Sequence, residues 1–557
     1  MGLLFRRDMR KKIKYNKHLF LIILATLSFI PLFDLLHPGL PITHDGQDHV
    51  ARIANFYQNL TDGNIIPRWA PNLNWGYGHP ILIFLYPLSS YVASVFHFLG
   101  FSLVDSVKIV FGLGMIGSGI AMYIWLSAFL GKMAGFVGGI LYVFVPYRFV
   151  DLYVRGAIGE HMAFIFLPLI LYFILKLSKK YSKWYIVGGS LSVTGLILAH
   201  NAISLMFLPL IFLHALFYLF ASEKKRMLAY YYAIVLVLGF GLSSFFWMPA
   251  FFEGKYTLRD IVTDNDYSLR FVRFTEFIYD SWSYGGTEQL SKQVGIIQWF
   301  VTILGIPIAF LMYTKKNKLW ILTGVTLAIF WITLFIMTPM SLFLWDKITI
   351  LQKFQFPWRF LSIAVFATAF LGAVVISAIP KNLKVIAICF LLIAVLFFNK
   401  DYWHSQGYLH KPESFFTGIY YGTTDTGESA PIWSVRFMLE EPKAPMEVIE
   451  GSAKIKQLKR SSTSRLYAID ASSKSRLREN TLYFPGWEVY VDGMIVKNVE
   501  FQDPANRGLI TFFVDKGKHM VYVKFGETKL RAFADIISVV TLVIIIFLSG
   551  IRKRKEV

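Results

Sequence analysis

Long apolar runs separated by short polar stretches dominate this chain. They lie near 18–37, 81–99, 105–129, 132–147, 161–178, 184–200, 202–221, 229–249, 294–313, 318–339, 358–379, 383–399 and 533–550. About 20 apolar residues cross a bilayer as a helix, and a helix satisfies its own backbone there. The pattern therefore predicts an all-α polytopic membrane protein. One run differs from the rest: 81–99 follows His79-Pro80 and contains Pro87, Ser89, Ser90 and His97. It reads as a juxtamembrane helix lying at the outer interface, which leaves about twelve spans.

Residues 400–532 change the period. "RLYAIDA" (465–471), "LITFFVD" (509–515) and "MVYVKF" (520–525) are β-rich, and "WEVYVDGMIV" (487–496) alternates and then turns at Asp492-Gly493. Such alternation with an Asp-Gly turn signals hairpins. The expected organisation is a transmembrane domain over 1–399 with an outward first loop at 38–104. A C-terminal extracytoplasmic β-sandwich-like domain follows at 400–532, then a final helix and basic tail at 533–557.

Composition agrees: 55% of residues are hydrophobic and only 16% charged, with mean hydropathy +0.52, against roughly 25% charged in soluble domains. The net charge of +21 does not point to nucleic acid, because the Lys and Arg residues sit beside the apolar runs. That placement suits topology and anionic lipids. The single cysteine, Cys389, excludes a disulfide framework and a thiolate metal site.

A basic N-terminus precedes the first run and no A-x-A site closes it, so it reads as an uncleaved membrane helix. The other basic connections are 176–184, 222–227, 314–318, 380–384 and 552–555. Taking all of them as cytoplasmic places both ends inside. A thirteen-span alternative would put "RKRK" (552–555) on the wrong side. In the twelve-span arrangement the polar clusters at 43–52, 67–80, 147–161, 200–201, 253–287 and 345–359 all face outward. The spans hold almost no mid-membrane charge, which weakens an ion-coupled transporter reading.

Within "PITHDGQDHVARI" (41–53), Asp45, Asp48, His49 and Arg52 follow i, i+3, i+4, i+7 and share one helix face. A carboxylate there suits a general base. The Asp/Asp/His set would also admit a divalent cation, and capping by Thr43 or Asp45 is the plain structural reading. In 147–164, Arg148, Asp151, Arg155, Glu160 and His161 gather at a helix entrance. Asp151 and Arg155 are spaced for a salt bridge, while an Arg at a membrane surface suits a phosphate. His200 in "AHN" is a turn residue or a site residue. Arg359 in "FQFPWRF" either snorkels or grips a second phosphate oxygen, with Lys353 nearby. The loop at 65–88 is rich in Pro, Gly, Trp, Tyr and Asn, which suits an interface belt or stacking against sugar rings.

In order, "HDGQDHVARI", "IPRWAPNLNWGYGHPILIFLYPL", "PYRFVDLYVRGAIGEHMAFIFLPL" and "FQFPWRFL" resemble a bacterial membrane protein family labelled, misleadingly, as related to 6-pyruvoyl-tetrahydropterin synthase. "TGESAPIW" (426–433) and "YFPGWEVYVDG" (483–493) resemble the C-terminal part of YfhO-type membrane proteins. Both groups are similar to GT-C membrane glycosyltransferases. The resemblance implies an inverting transfer of a monosaccharide from a polyprenyl-phosphate donor, such as undecaprenyl phosphate, to a wall or surface polymer. The reaction would take place outside the bacterial cytoplasmic membrane. It implies a first-loop catalytic carboxylate, Asp45 or Asp48, since Asp45-Gly46 departs from the adjacent Asp-Glu pair common in GT-C enzymes. His49, Arg52, Asp151, Arg155, Glu160, His200 and Arg359 would bind donor phosphate or substrate. No Trp-Trp-Asp motif is present, so protein N-glycosylation is not implied. The rival functions are a flippase for lipid-linked sugars and a non-enzymatic scaffold.

Overall fold

The computed structural model describes residues 18–264, 266–285 and 290–550. The basic N-terminal segment and the "RKRK" tail lie outside the described residues. Among those described, nine helices are long and apolar enough to cross a membrane. The pair Lys132–Val143 and Pro146–Arg155, bent by 50°, is either a tenth, broken span or a re-entrant loop. Pro146 opens the second piece, where its missing N–H costs nothing but breaks the first helix. Two further apolar helices, Lys183–Ala199 and Lys384–Asn399, have 17 and 16 residues. The expected twelve spans count both of these shorter helices.

Segment 81–99 does not form one helix. It splits into Ile81–Phe84 and Leu88–Phe98. Eleven helical residues reach about 16 Å, half of a bilayer core, so neither piece is long enough to cross.

The bundle is centred on Pro357–Ala378, whose apolar window is 94% buried. It packs with Leu103–Leu130 and Lys132–Val143. A Cβ on Gly139 would lie 3.0 Å from the carbonyl oxygen of Gly119, so glycine is what lets these two helices close, as small residues do in membranes.

The bundle is two-ended. At one end Lys179 Nζ donates to Ala128 O (3.2 Å) and Lys183 Nζ to Ser549 O (3.1 Å), joining helix ends through the basic connections. At the other end gather the first loop and the residues after 400. There Arg68 pairs with Glu527 (2.8 Å) and Asp535 (2.6 Å), and Arg531 pairs with Glu253 (2.8 Å).

The strands beyond residue 445 form two antiparallel sheets. One has the order Ala453–Arg460, Ser464–Ala471, Gly517–Phe525, Trp487–Val491, Met494–Ile495; the other runs Met446–Glu450, Ser475–Leu482, Leu509–Val514. Tyr467, Ile469, Val489, Val521 and Val523 of the first sheet and Leu477, Ile510 and Phe512 of the second are buried. Arg465 Nε meets Glu479 3.0 Å away across the two sheets, with both side chains almost fully enclosed.

Deleting one partner of such a pair strands the other charge and costs about 3–5 kcal/mol. Glu479→Ala is expected to make the strand region of the detergent-solubilised full chain cleavable by trypsin at temperatures where the native chain resists. Replacing Arg465 and Glu479 together by Met and Leu should restore most of that resistance.

At the Asp492-Gly493 turn, His519 Nδ1 lies 2.7 Å from Asp492 Oδ2. The bond to Asp492 raises the His519 pKa, and the bond from His519 lowers that of Asp492. A raised histidine stabilises below its ordinary value and loses that effect as pH rises through the shifted one; a depressed carboxylate does the reverse. The hairpin should therefore be best protected between about pH 4 and pH 6.5. Hydrogen exchange of the Trp487–Val491 amides, corrected for intrinsic rates, checks this.

Candidate functional site

The first-loop helix runs Gly46–Thr61, with Asp45 at its N-cap. Capping comes from Thr43, whose Oγ1 accepts from Gly46 N at 3.0 Å. That leaves the Asp45 carboxylate free. It is exposed and makes no hydrogen bond or ion pair among the described residues. The strand of chain before the helix is docked by its backbone: His44 N donates to Val154 O and Asp45 N to Arg155 O, both at 2.9 Å. Docking this close needs Gly156. Its φ is +71°, and a Cβ there would collide with Thr43 Oγ1.

Asp45, Asp48, His49 and Arg52 share a face as their spacing predicts, and beyond the exposed Asp45 and half-buried Asp48 that face turns inward. His49 and Arg52 are each 4% exposed. His49 Nδ1 and Arg52 Nη1 lie 3.0 Å apart, and Arg52 Nε donates to Thr424 Oγ1 at 3.2 Å. Arg52 Nη2 also donates to the Thr424 carbonyl. Asp48 Oδ1 accepts from the Tyr420 hydroxyl at 2.7 Å, and Gln47 donates to the same oxygen of Tyr420 at 2.8 Å. Burial pushes the Asp48 carboxyl pKa up, against the opposing pull of the Tyr420 bond and the Arg52 charge.

Arg155 closes a π-type turn, Val150–Arg155, a distortion that often marks functional sites. Its Nη1 donates to Asp151 Oδ1 (2.5 Å), Glu160 Oε2 (2.7 Å) and the Tyr147 hydroxyl (3.3 Å), and Tyr147 donates to Glu160 Oε1 (2.7 Å). The guanidinium also lies 4.7 Å from the centre of the Trp358 ring. The next residue, Arg359, donates from Nη1 to Phe354 O at 3.0 Å and keeps a buried Nε with no partner.

His200 caps the Asn201–Ala221 helix, its Nδ1 accepting from Ile203 N at 3.3 Å, and its ring stacks on Tyr86 with centroids 4.5 Å apart. The charges of Arg359, Arg155 and His49 all act on His200. Those of Arg52, Asp45, Arg359 and Arg155 act on Tyr86, whose hydroxyl pKa burial pushes up to about 12. Residues far apart in the chain thus form one cluster: Asp45, Asp48, His49, Arg52, Asp151, Arg155, Glu160, His200 and Arg359. Lys353 lies apart, paired with Asp260 at 2.6 Å.

Residue-by-residue reading of the sequence missed Tyr86, Tyr420 and Thr424. The segment 420–429 straps the first loop to the loop before Pro357: Tyr420 and Thr424 hold Asp48 and Arg52, and Glu428 Oε2 accepts from Gln355 Nε2 at 3.1 Å. Its one visible signal is the turn-rich run "GTTDTGES" (422–429). In the aromatic loop at 65–88, packing within the chain claims Trp69. Trp69 is fully buried against Trp487 and Phe525, at 5.3 and 5.4 Å between centroids, and Asn74 N and Trp75 N donate to Gly422 O and Tyr420 O. Among the described residues no three His, Cys, Asp or Glu side chains converge as a metal would need.

Residues 83–409 match the 6-pyruvoyl-tetrahydropterin synthase related domain, described as a membrane protein family, over more than half of the chain. The chain belongs to that family. A relative in Lactococcus lactis subsp. cremoris (strain MG1363), described as an uncharacterized protein, is 27% identical over 270 residues; these span 46% of this chain and 43% of that one. Three solved structures are similar. Arabinofuranosyltransferase AftD from Mycobacteria gives a TM-score of 0.45 at 14% identity, covering 70% of this chain and 27% of AftD. The Archaeoglobus fulgidus oligosaccharyltransferase gives 0.43 at 10%, covering 75% and 62%. ArnT from Cupriavidus metallidurans, bound to undecaprenyl phosphate, gives 0.37 at 12%, covering 72% and 68%. This family member is a multi-pass membrane protein.

Gly156→Ala should destabilise the chain by more than about 1 kcal/mol, through backbone strain and collision with Thr43. The expected result is a lowered melting temperature of the purified protein, with Gly324→Ala, where a Cβ would meet nothing within 4 Å, as the comparison.

Proposed function

We propose that this chain is a membrane glycosyltransferase that moves a monosaccharide from a polyprenyl-phosphate donor to an acceptor hydroxyl of a surface polymer, on the outer face of the bacterial cytoplasmic membrane. The observation that carries the reading is the free Asp45 carboxylate, held by backbone bonds to Val154 and Arg155 beside a cluster of buried cations. The motifs ordered along the chain from the first loop to "FQFPWRFL", whose family is similar to GT-C enzymes, support it as well.

Asp45 takes the proton from the acceptor hydroxyl. The hydroxyl oxygen bonds to the anomeric carbon as the bond from that carbon to phosphate oxygen breaks, through an oxocarbenium-like state with inversion. Polyprenyl phosphate leaves with the electron pair. Arg359 stabilises the charge developing on it, because its Nε is unspent. Arg155 is matched by Asp151 and Glu160 and so acts as a positioning residue, holding the turn on which Asp45 rests. Asp48, bonded to Tyr420, orients the helix face beside Asp45; His49, Arg52 and His200 line the same space.

Asp45→Asn is expected to lower transfer by about 10²–10⁴-fold, read as labelled sugar moved from polyprenyl-phosphate sugars to polymer in membranes containing the chain. Arg359→Gln should lower it by roughly 10²–10³-fold. Full transfer by Asp45→Asn together with loss in Asp48→Asn would shift the base to Asp48. Tyr420→Phe removes a bond that lowers the Asp48 pKa, so the acid limb of the pH–rate profile should move to higher pH if Asp48 must be ionised.

A further inference from the structure

The outer face of the five-stranded sheet carries a pattern that the transfer site does not use. Pairing places Lys454, Asp470 and Lys518 in one row and Lys456, Ala468 and Met520 in the next. A bulge between Gln457 and Lys459 then brings Lys459 level with Leu466, Tyr522 and Tyr490. The last row holds Ser464, Lys524 and Glu488. Lys454, Lys456, Lys459, Lys518, Tyr522 and Lys524 are exposed, whereas the alternate residues Tyr467, Ile469, Val521 and Val523 are buried.

The strand Ser464–Ala471 thus presents mostly short side chains, Ser464, Ala468 and Leu466, between two rows that bear lysines. Adjacent strands are about 4.8 Å apart, so the rows flank a shallow trough roughly 10 Å across. From Ser464 to Asp470 the trough extends about 20 Å. Tyr522 on the flanking strand and Tyr490 on the next strand out form an aromatic platform beside one end, with ring centres 6.2 Å apart. Lysines on an edge strand guard against sheet-to-sheet pairing, and that accounts for Lys454, Lys456 and Lys459. It does not account for Lys518 and Lys524, which stand on the central strand.

We propose that this trough binds one extended chain of a polyanionic carbohydrate polymer, with lysines along its charges and the two tyrosines against a sugar ring. Five lysines face Asp470 and Glu488, so charge complementarity selects an anionic occupant. Its direction selects a polymer over lipid headgroups. The turn after Arg460 is tied to the first loop, where Ser462 N donates to Asp62 Oδ2 at 2.7 Å. The Lys454–Lys518 end therefore extends away from the bundle. Naming this polymer as the acceptor rests on the transferase reading above; its binding does not.

The test uses the full chain in nanodiscs and measures affinity for dextran sulfate, for neutral dextran of equal length and for phosphatidylglycerol vesicles. The native chain should bind dextran sulfate in a salt-weakened manner and not bind neutral dextran. Lys454→Gln, Lys456→Gln and Lys518→Gln combined should weaken dextran sulfate binding by at least about tenfold, and Asp470→Asn should strengthen it. All four positions are solvent-exposed, and unchanged melting would verify the fold. Unaltered dextran sulfate binding by the triple variant overturns the proposal, as does a loss confined to the vesicles. Asp45→Asn should keep full polymer binding, so failure of the transferase reading and failure of this one are separable.

Discussion

The buried contact between Arg155 and the carboxylates of Asp151 and Glu160 supports the whole arrangement. A guanidinium removed from water is costly unless its charge is matched and its donors are used. Here one nitrogen serves two carboxylates and a tyrosine, and an indole ring covers the flat face. The matched cluster holds an irregular turn open inside a bundle of otherwise regular helices. The carbonyl groups of Val154 and Arg155 are thereby left free to receive the amides of His44 and Asp45. Break the cluster and the first loop loses its seat.

A second constraint acts from the far end of the chain. Residues 420–429 lie over the first-loop helix and satisfy Arg52 and Asp48, two groups that burial would otherwise leave expensive. The loop at 65–80 is held by the same region through Trp69 and the Asn74 and Trp75 amides. The chain after the last strand is tied to the first loop and the bundle by Arg68 and Arg531.

Much of the site was legible locally. The i, i+3, i+4, i+7 spacing put Asp45, Asp48, His49 and Arg52 on one face, and helical geometry alone guarantees that. Spacing also anticipated the Asp151–Arg155 pair, though not that Glu160 would share the same nitrogen. What spacing could not decide was which way the face points. A solvated helix and a buried one have the same period when polar residues line the inside. The free state of Asp45 was hidden as well, since it depends on Thr43 taking the cap.

The chain by itself determined its class and most of its long apolar helices, because the bilayer demands such helices whatever they pack against. It also determined the helix break at Pro87 and the hairpin at Asp492-Gly493, where backbone chemistry is local. Tertiary structure alone decided that His200 stacks on Tyr86 and that the charges of Arg155 and Arg359 reach both. It likewise decided that Tyr420 and Thr424, some 370 residues away, complete the cluster. Those partners meet only through helix packing and chain crossing, which leave no periodic trace in the sequence.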